Sequence, residues 1–458
     1  MSKRKNLLNA VRPIGLIIFA TSFFPSGSFA QQIDLSGGSQ PPISITPSKD
    51  TGLHRVYVAY DMTGLTLTYE AQNPKDVRLS VFSNKGANFA TPVDNIITDD
   101  NSIKVNTLES DSGYIIEDGK NIYYIWIVDY AKHTYNISSI TASSDTGCES
   151  TILNVIGSAG PIYYYTINGR QETLSRDLLL TYNSLEFDEE NHLFIEKEYK
   201  KNIASINEKI TITPAVLCPT SFTLEGDRFL KEWHQYQVIE SGVITPIATM
   251  VKTEAIQENN TNDSIDSSNQ MSSETDGLGG SAPVDISFRA YVSDAVIHYE
   301  WQMANDPDFE DITYRINQQD LDYTFTSEGT TYIRFIGSNS DGSCESYGDT
   351  YTVTVGASEL LIPNAFSPNG DGINDEWKVS YRSLIDFKCW IFDRQGHEII
   401  MFDNPAMGWD GKAKGKLVKP GVYYYVIQAT GSDGKRYKRS GDINILKSSG
   451  NSNSSNVE

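Results

Sequence analysis

Apolar residues in this chain alternate with polar ones or stand in blocks of five to seven, and they rarely follow a helical spacing. Alternation is typical of a strand with one buried face, and a short apolar block is typical of a strand buried on both faces. The 26 tyrosines and the many Thr, Ile and Val residues favour pleated strands, while Asn, Asp and Gly favour the turns between strands. Only residues 228–236 show a hint of helical spacing. The sequence therefore predicts an all-β protein, and 458 residues allow three or four domains.

The first thirty residues have the features of a Sec signal peptide. Lys3, Arg4 and Lys5 precede an apolar stretch at 14–24, and small residues end the segment at Ala30, where we predict cleavage. The apolar stretch is too short to span a bilayer, although a retained signal anchor is the alternative. No later apolar run approaches the length of a spanning helix, so the mature chain is predicted to have no transmembrane segment. The net charge of −22 argues against nucleic acid as a partner.

Composition and turn signals divide the rest of the chain into domains. Residues 253–281 contain six acidic residues and no Lys or Arg, which predicts a flexible linker because little of the stretch can be buried. We predict tandem Ig-like or PKD-like β-sandwich domains followed by a seven-stranded β-sandwich. The predicted order is a signal peptide at 1–30, an Ig-like β-domain at 31–157, a small β-domain at 158–252, a disordered acidic linker at 253–281, a PKD-like or Ig-like domain at 282–356, the last sandwich at 360–447 and a disordered tail at 448–458.

Two short segments, 144–150 and 340–346, are similar to each other. Each has Ser-Asp, a glycine, one cysteine and Glu-Ser, and each leads into a strand. This is how a β-sandwich often closes, so we expect two related domains, with chance similarity of Asp-Gly turns as the alternative.

The cysteine pattern predicts disulfides and no metal site. The four cysteines are Cys148, Cys218, Cys344 and Cys389. No CxxC pair occurs and the six histidines are scattered, whereas two disulfides with three connectivities are allowed in an exported protein. Cys389 shares a strand face with Phe387 and Ile391, which predicts a buried free thiol. We expect any disulfide to involve Cys148 and Cys218, because these two residues flank the second domain.

A dense group of motifs follows residue 360. The chain reads IPNAFSPNGDGINDEW at 362–377, IFDRQG at 391–396, GWDGK at 408–412 and PGVYYYV at 420–426. Over about 88 residues this resembles the gliding-motility-associated, type-B C-terminal sorting domain of the Bacteroidota type IX secretion system. Gln395 departs from the family, which commonly has Trp in this turn. The residues that match the motifs are Pro363, Asn364, Phe366, Pro368, Asn369, Gly370, Asp371, Gly372, Asn374, Asp375, Arg394, Gly396, Trp409, Asp410, Gly411, Pro420, Gly421 and Tyr423.

The resemblance implies export and a role in the envelope. Proteins with this domain cross the inner membrane by the Sec route and the outer membrane through the type IX translocon, so we expect the cell surface, the outer membrane or the medium as the location. The short architecture, and FKCWIF at 387–392, are similar to PorA-type proteins, which support secretion and relay its state through envelope partners. The alternative is a surface adhesin whose acidic domains bind a ligand on a host or a neighbouring cell.

Basic residues are concentrated in the motif region. Residues 411–439 hold eight basic residues against one acidic residue. We expect a docking face for an acidic outer-membrane partner, with a solvated hairpin face as the alternative. The lysines assigned to this face are Lys412, Lys414, Lys416, Lys435 and Lys438.

Calcium binding and catalysis are two further chemistries on which the sequence bears. The oxygen-rich loop from Asn369 to Asp375 is similar in spacing to calcium loops, but a turn held by its own side-chain hydrogen bonds accounts for it without metal, and no cofactor is predicted. His397-Glu398 lacks the second histidine of a zinc protease, and no GxSxG, P-loop or dinucleotide motif occurs. We therefore expect no catalytic activity, although a glycosidase pair of carboxylates stays open.

Overall fold

The computed structural model describes residues 32–235, 237–257, 268–272 and 277–446. The predicted signal peptide, the predicted tail and part of the predicted linker lie outside these residues. Strands account for most of the regular structure, as the alternating pattern predicts. Within the described ranges, no helix is both long and apolar enough to cross a membrane.

The first β-sandwich packs a four-stranded sheet, in the order β1-β4-β8-β7, against a six-stranded sheet, in the order β2-β3-β10-β9-β5-β6. Alternation decides which side chains enter the core: in β4, Leu67 and Tyr69 are buried while their neighbours face outward. The strands are β1 (Ile33–Ser36), β2 (Ile43–Ile45), β3 (Arg55–Ala59), β4 (Thr66–Glu70), β5 (Arg78–Phe82), β6 (Thr91–Pro92), β7 (Ile97–Thr98), β8 (Ser102–Val105), β9 (Ser112–Asp118) and β10 (Asn121–Asp129), with 3-10 turns at Lys49–Thr51, Pro74–Asp76, Ala87–Phe89 and Tyr130–Lys132.

The second group of strands begins earlier than predicted. The strands are β11 (Ser139–Ala142), β12 (Thr151–Ile156), β13 (Ile162–Tyr165), β14 (Gln171–Leu174), β15 (Leu178–Asp188), β16 (Leu193–Ile203), β17 (Lys209–Ile212), β18 (Thr223–Gly226) and β19 (Gln237–Glu240), with helix α1 at Arg228–Glu232. β12 pairs with β11 and β17, so the predicted domain boundary at residue 157 is wrong. The local turn pattern suggested a closing strand of the first domain, but the pairing of β12 with β17, in which Thr151 lies opposite Ile212, assigns β12 to the second group.

The third sandwich takes up part of the stretch predicted to be a disordered linker. β20 lies at Val251–Gln257 and pairs with β22, and β21 lies at Leu278–Gly280 and pairs with β28. The acidic composition gave no strand signal here. β20 is stabilised by backbone pairing with β22 and by burial of Val251, and β21 by backbone pairing with β28. The other strands are β22 (Val284–Val292), β23 (His298–Ala304), β24 (Ile312–Ile316), β25 (Leu321–Phe325), β26 (Gly329–Ser338), β27 (Glu345–Tyr347) and β28 (Tyr351–Val355).

The last domain has a five-stranded sheet, β30-β37-β36-β32-β33, a two-stranded sheet, β29-β31, and a small hairpin, β34-β35. The first two sheets together hold the seven strands that the sequence predicts. The strands are β29 (Glu359–Leu361), β30 (Ala365–Phe366), β31 (Ser380–Arg382), β32 (Leu384–Phe392), β33 (Glu398–Phe402), β34 (Lys412–Ala413), β35 (Lys416–Leu417), β36 (Gly421–Gly431) and β37 (Arg436–Ile445).

The chain divides into two compact units. The first comprises the described parts of Met1–Asn136, Ala159–Asp177 and Gly226–Gln237. The second comprises the described parts of Ile137–Ser158, Leu178–Glu225 and Val238–Glu458.

A buried ion pair joins all three chain segments of the first unit. The Arg176 guanidinium lies 2.5 Å from the Asp227 carboxylate, and both side chains are almost completely excluded from solvent. Arg176 also donates to the carbonyl oxygens of Gly160, at 2.7 Å, and His133. The Tyr130 hydroxyl donates to Asp227 at 2.9 Å. The pair therefore links the 3-10 turn after β10, the segment that carries β13 and β14, and helix α1.

Cys148 is bonded to Cys344, so the predicted pairing of Cys148 with Cys218 is wrong. The two bonded cysteines occupy equivalent positions in the similar segments 144–150 and 340–346, which lie 196 residues apart along the chain. Cys218 and Cys389 are free and buried, as predicted for Cys389. Burial raises the pKa of Cys218 to about 11 and that of Cys389 to about 12, so both are neutral thiols at physiological pH.

We predict that Asp227→Asn lowers the free energy of unfolding by about 3–5 kcal/mol, because it leaves the buried Arg176 guanidinium without its counter-charge. Urea unfolding, followed by the fluorescence of the tryptophans, measures the change. The control is Asp177→Asn, which alters an exposed ion pair with Arg228 and should cost less than about 1 kcal/mol. Equal effects of the two substitutions would contradict the structural role of the buried pair.

We also predict that mass spectrometry of the non-reduced protein finds one linked peptide pair, which contains Cys148 and Cys344. Cys218 and Cys389 should react with an alkylating reagent only after denaturation, because their thiols are buried and protonated. A linked peptide that contains Cys218 or Cys389 would contradict this assignment.

Candidate functional site

The motif residues begin at the edge of the five-stranded sheet of the last domain. Asn364 accepts a backbone hydrogen bond of 2.9 Å from Asn444, and Phe366 is buried in β30, which pairs in parallel with β37. The carbonyl oxygen of Pro363 accepts a hydrogen bond of 2.7 Å from the Trp377 indole. These contacts place the start of the motif on the core of the domain.

Asp375 organises the oxygen-rich loop. One oxygen of its carboxylate accepts the backbone N–H groups of Asn369, at 2.8 Å, and Gly370, at 2.6 Å, and the other accepts that of Gly372, at 2.7 Å. Donation by the N–H groups of Gly370 and Gly372 holds the pKa of Asp375 below its usual value. Asp371 in turn accepts the N–H of Ile373 at 2.8 Å.

The conformation of the same loop accounts for its glycine and asparagine residues. Gly370, Gly372 and Asn374 have φ values of 78°, 82° and 53°, in the left-handed region that these residue types tolerate. The carboxylates that suggested calcium therefore have backbone N–H partners, and these hydrogen bonds account for the turn. Among the described residues, no group of three or more His, Cys, Asp or Glu is placed to hold a metal ion.

Trp409 is a core residue of the last domain. It is fully buried, exchanges two backbone hydrogen bonds with Trp377, and lies with its ring centroid 5.5 Å from Phe366 and 5.1 Å from Tyr423. Its indole N–H donates to the carbonyl oxygen of Lys412 at 2.9 Å. Trp409 therefore fixes the base of the β34-β35 hairpin to the core.

Glycines in the remaining motifs permit close packing. Gly411 has a φ of 75°, and a Cβ atom there would lie 2.9 Å from the Pro368 ring. A Cβ at Gly421 would lie 3.2 Å from the Arg394 guanidinium. Gly396 has a φ of 86° and closes a turn on Asp393, so the turn forms with Gln395 in place of the family's Trp.

The remaining motif residues connect the hairpin to β36. Asp410 accepts the backbone N–H of Lys412 at 3.0 Å and pairs with its ammonium group at 2.7 Å. Tyr423 donates its hydroxyl to the carbonyl oxygen of Lys419 at 2.9 Å, while Pro420 is exposed between them.

The five predicted docking lysines are all exposed, but they do not form one face. Lys412, Lys414 and Lys416 lie on the β34-β35 hairpin, close to the first residue of β36. Lys438 lies opposite Gln428 of β36 and Lys435 lies at Gly431, the last residue of the strand, so they are ~23 and ~33 Å from Gly421 along the strand. The prediction of a single basic face over 411–439 is therefore wrong, because most of the length of β36 separates the two groups.

The second basic group lies on a sheet edge. β37 pairs with β36 on one side and with β30 only at Asn444 and Ile445 on the other, so its residues 436–442 are an edge among the described strands. Lys435 and Arg439 flank the Tyr437 ring at 4.8 and 5.8 Å from its centroid. Charges on an edge strand oppose the addition of another chain.

Two family models match parts of the chain. Residues 360–445 match the CHU_C Type IX secretion signal domain, which confirms the resemblance seen in the sequence. Residues 139–241 match the Fibronectin type III domain model Fn3_FA. The signal domain implies export to the cell surface or the medium and interaction with the secretion machinery. No curated protein matches the chain.

Solved structures of two multi-domain proteins are similar in part. The chain resembles dimeric latent PorU from Porphyromonas gingivalis at 11% identity and a TM-score of 0.15, over 71% of this chain and 35% of that chain. It thus spans about a third of the length of the PorU chain. The FN1–FN3 domains of chicken CNTN1 are similar at 10% identity and a TM-score of 0.21, over 68% of this chain and 99% of that one.

We predict that Asp375→Asn loosens the motif loop. The single oxygen of the new amide can still accept the N–H groups of Asn369 and Gly370, but the bond from Gly372 to the second carboxylate oxygen is lost. Hydrogen–deuterium exchange of the peptide that covers 367–376 should become faster at neutral pH. In the wild type, the lowered pKa of Asp375 means that its stabilising effect is present above the carboxyl's ordinary pKa, about 3.9, and is lost as the pH falls through the folded-state value.

The local control is Asp393→Asn, which alters a different Asp-anchored turn. It should leave exchange at 367–376 unchanged. Equal exchange of this peptide in the wild type and in Asp375→Asn would contradict the assigned role of the carboxylate.

Proposed function

We propose that this protein is a non-catalytic envelope component of the type IX secretion system, of the PorA type. It enters the periplasm by the Sec route through residues 1–30 and crosses the outer membrane by means of its signal domain. There it supports the secretion of other cargo and relays the state of secretion through outer-membrane partners. Two features support a docking role: the signal domain itself, and a rigid cationic hairpin on its surface.

The hairpin is the observation that carries the proposal. Lys414 and Gly415 form its two-residue turn with φ values of 48° and 79°, as in the tight turns that match strand twist. Trp409 holds Lys412 at the base, and the Val418 N–H donates to the Gly411 carbonyl oxygen at 2.9 Å. Lys414 and Lys416 are exposed, while Asp410 pairs with Lys412. A fixed hairpin that presents cations loses little conformational entropy on binding an acidic partner.

The second basic group is better explained as protection of an edge. Its cations lie on β37 and against the Tyr437 ring, so their positions serve the sheet itself. We therefore assign the docking role to Lys412, Lys414 and Lys416 and not to Lys435 and Lys438.

An adhesin is the second candidate, because residues 139–241 match the fibronectin type III domain, whose β-sandwich architecture clusters loops at its two ends. The two functions differ in their consequences. A secretion component is needed by unrelated cargo, whereas an adhesin is needed only for its own contact.

Deletion of the gene, followed by complementation, tests the proposal. We expect deletion to lower the amount of unrelated type IX cargo outside the cell, and to change the transcription of envelope genes. Wild-type protein should restore both, and Lys414→Glu with Lys416→Glu should restore them by less than half. These residues are exposed, so the variant should fold.

The matched control is Lys435→Glu with Lys438→Glu, which reverses the same charge at the other end of β36 and should restore secretion fully. Normal cargo secretion and transcription in the deletion strain, together with lost attachment to cells or surfaces, would contradict the component role and favour the adhesin.

A further inference from the structure

A short piece of the acidic stretch lies on the last domain as an added strand. Residues 268–272 run parallel to β31, with Gln270 opposite Tyr381. Tyr381 donates its backbone N–H to the Asn269 carbonyl oxygen at 3.1 Å, and its own carbonyl oxygen accepts the Met271 N–H at 2.7 Å. The other side of β31 is occupied by β29, so this segment, which we call the strap, covers an edge that would otherwise be open.

One side chain of the strap fits a specific polar position. The Asn269 amide donates to the carbonyl oxygen of Val379 at 2.7 Å and to that of Pro405 at 2.9 Å. Both bonds come from its NH₂ group, and its amide oxygen has no partner among the described residues. A carboxylate cannot make these bonds, because it has no hydrogen to donate.

The side chains of the strap bury little apolar surface. Gln270 and the serines at 268 and 272 are exposed, and Asn269 and Met271 are only half-buried. The hydrogen bonds of Asn269 and Met271 replace bonds to water, so each contributes only modestly to the stability of the contact. Such a strand stays bound mainly because it is tethered to its site, and it can exchange with a competing strand.

The edge lies beside the motif loop. A groove of about 800 Å³ next to the strap is lined by Asn269 together with Pro363, Gly372, Asn374 and Asp375. On the other side, a second groove of about 430 Å³ is lined by Gln270, Tyr381 and Phe387. A peptide bound at the edge of β31 would therefore lie next to the motif loop.

We propose that the edge of β31, with the carbonyl groups of Val379 and Pro405, is a binding site for an extended peptide with a central asparagine, and that the strap is its intramolecular ligand. The main-chain hydrogen bonds to Tyr381 supply the affinity. The carbonyl groups of Val379 and Pro405, which accept the asparagine amide, supply the selectivity, as in other cases of strand addition to a sheet edge. The site is covered while the strap is bound and becomes available when the strap dissociates. This inference does not depend on the secretion role proposed above.

The full-length variant Asn269→Asp tests it, since the substitution is nearly isosteric but removes both amide donors. Hydrogen–deuterium exchange of peptides that contain Tyr381 should become about tenfold faster or more. The matched control Gln270→Glu adds the same charge at an exposed neighbouring position and should leave exchange close to that of the wild type. An intact Cys148–Cys344 disulfide and unchanged exchange in β22 verify that the variant is folded.

A synthetic peptide of residues 265–275 tests the site in trans. It should bind the Asn269→Asp protein at least about tenfold more tightly than the wild type, whose own strap competes, and the same peptide with Asp in place of the asparagine should not bind. Unchanged hydrogen–deuterium exchange at Tyr381 in Asn269→Asp would contradict the proposed role of the strap. Faster exchange without peptide binding would contradict the proposed peptide site at the edge of β31. Equal binding of the asparagine and aspartate peptides would contradict it as well.

Discussion

The edges of β-sheets are the constraint on which this structure depends. Each edge strand leaves a row of unpaired backbone N–H and C=O groups, and an exported chain built of many short sheets has many such rows. In this chain, the open sheet edges are covered or protected in three ways. Strands from distant parts of the sequence complete a sheet, as β20 does for the third sandwich. Charged side chains protect others, as on β37 and on the long edge strand β16, and the strap covers β31.

Long-range links stabilise each of the two units separately. In the first unit, the Arg176–Asp227 pair is surrounded by donors and acceptors from three segments, so neither buried charge lacks compensation. In the second unit, the disulfide joins two similar turns, one after β11 and one after β26. Loss of any one of these partners would leave a buried polar group uncompensated, so the three segments stabilise one another.

Most motif residues of the signal domain serve its conformation. Asp375 holds the loop, the glycines permit left-handed turns and close contacts, and Trp409 connects the hairpin to the core. These residues therefore stabilise the fold of the domain. The surface that results has two distinct parts: a cationic hairpin and a strand edge beside the motif loop. The first suits an acidic partner, and the second suits an extended backbone.

The sequence alone determined the features that neighbouring residues control. Alternation of side chains established the all-β class, the SPNGDG and DRQG segments predicted their turns, and strand periodicity placed Cys389 in the core, because each depends on contacts within a few residues. Only the tertiary structure decided the pairing of Cys148 with Cys344, the partner of Arg176, the separation of the lysines by β36, and the binding of Asn269 to the edge of β31. Those features depend on which strands pair and in which register. Pairing and register are determined by contacts between residues up to 196 positions apart.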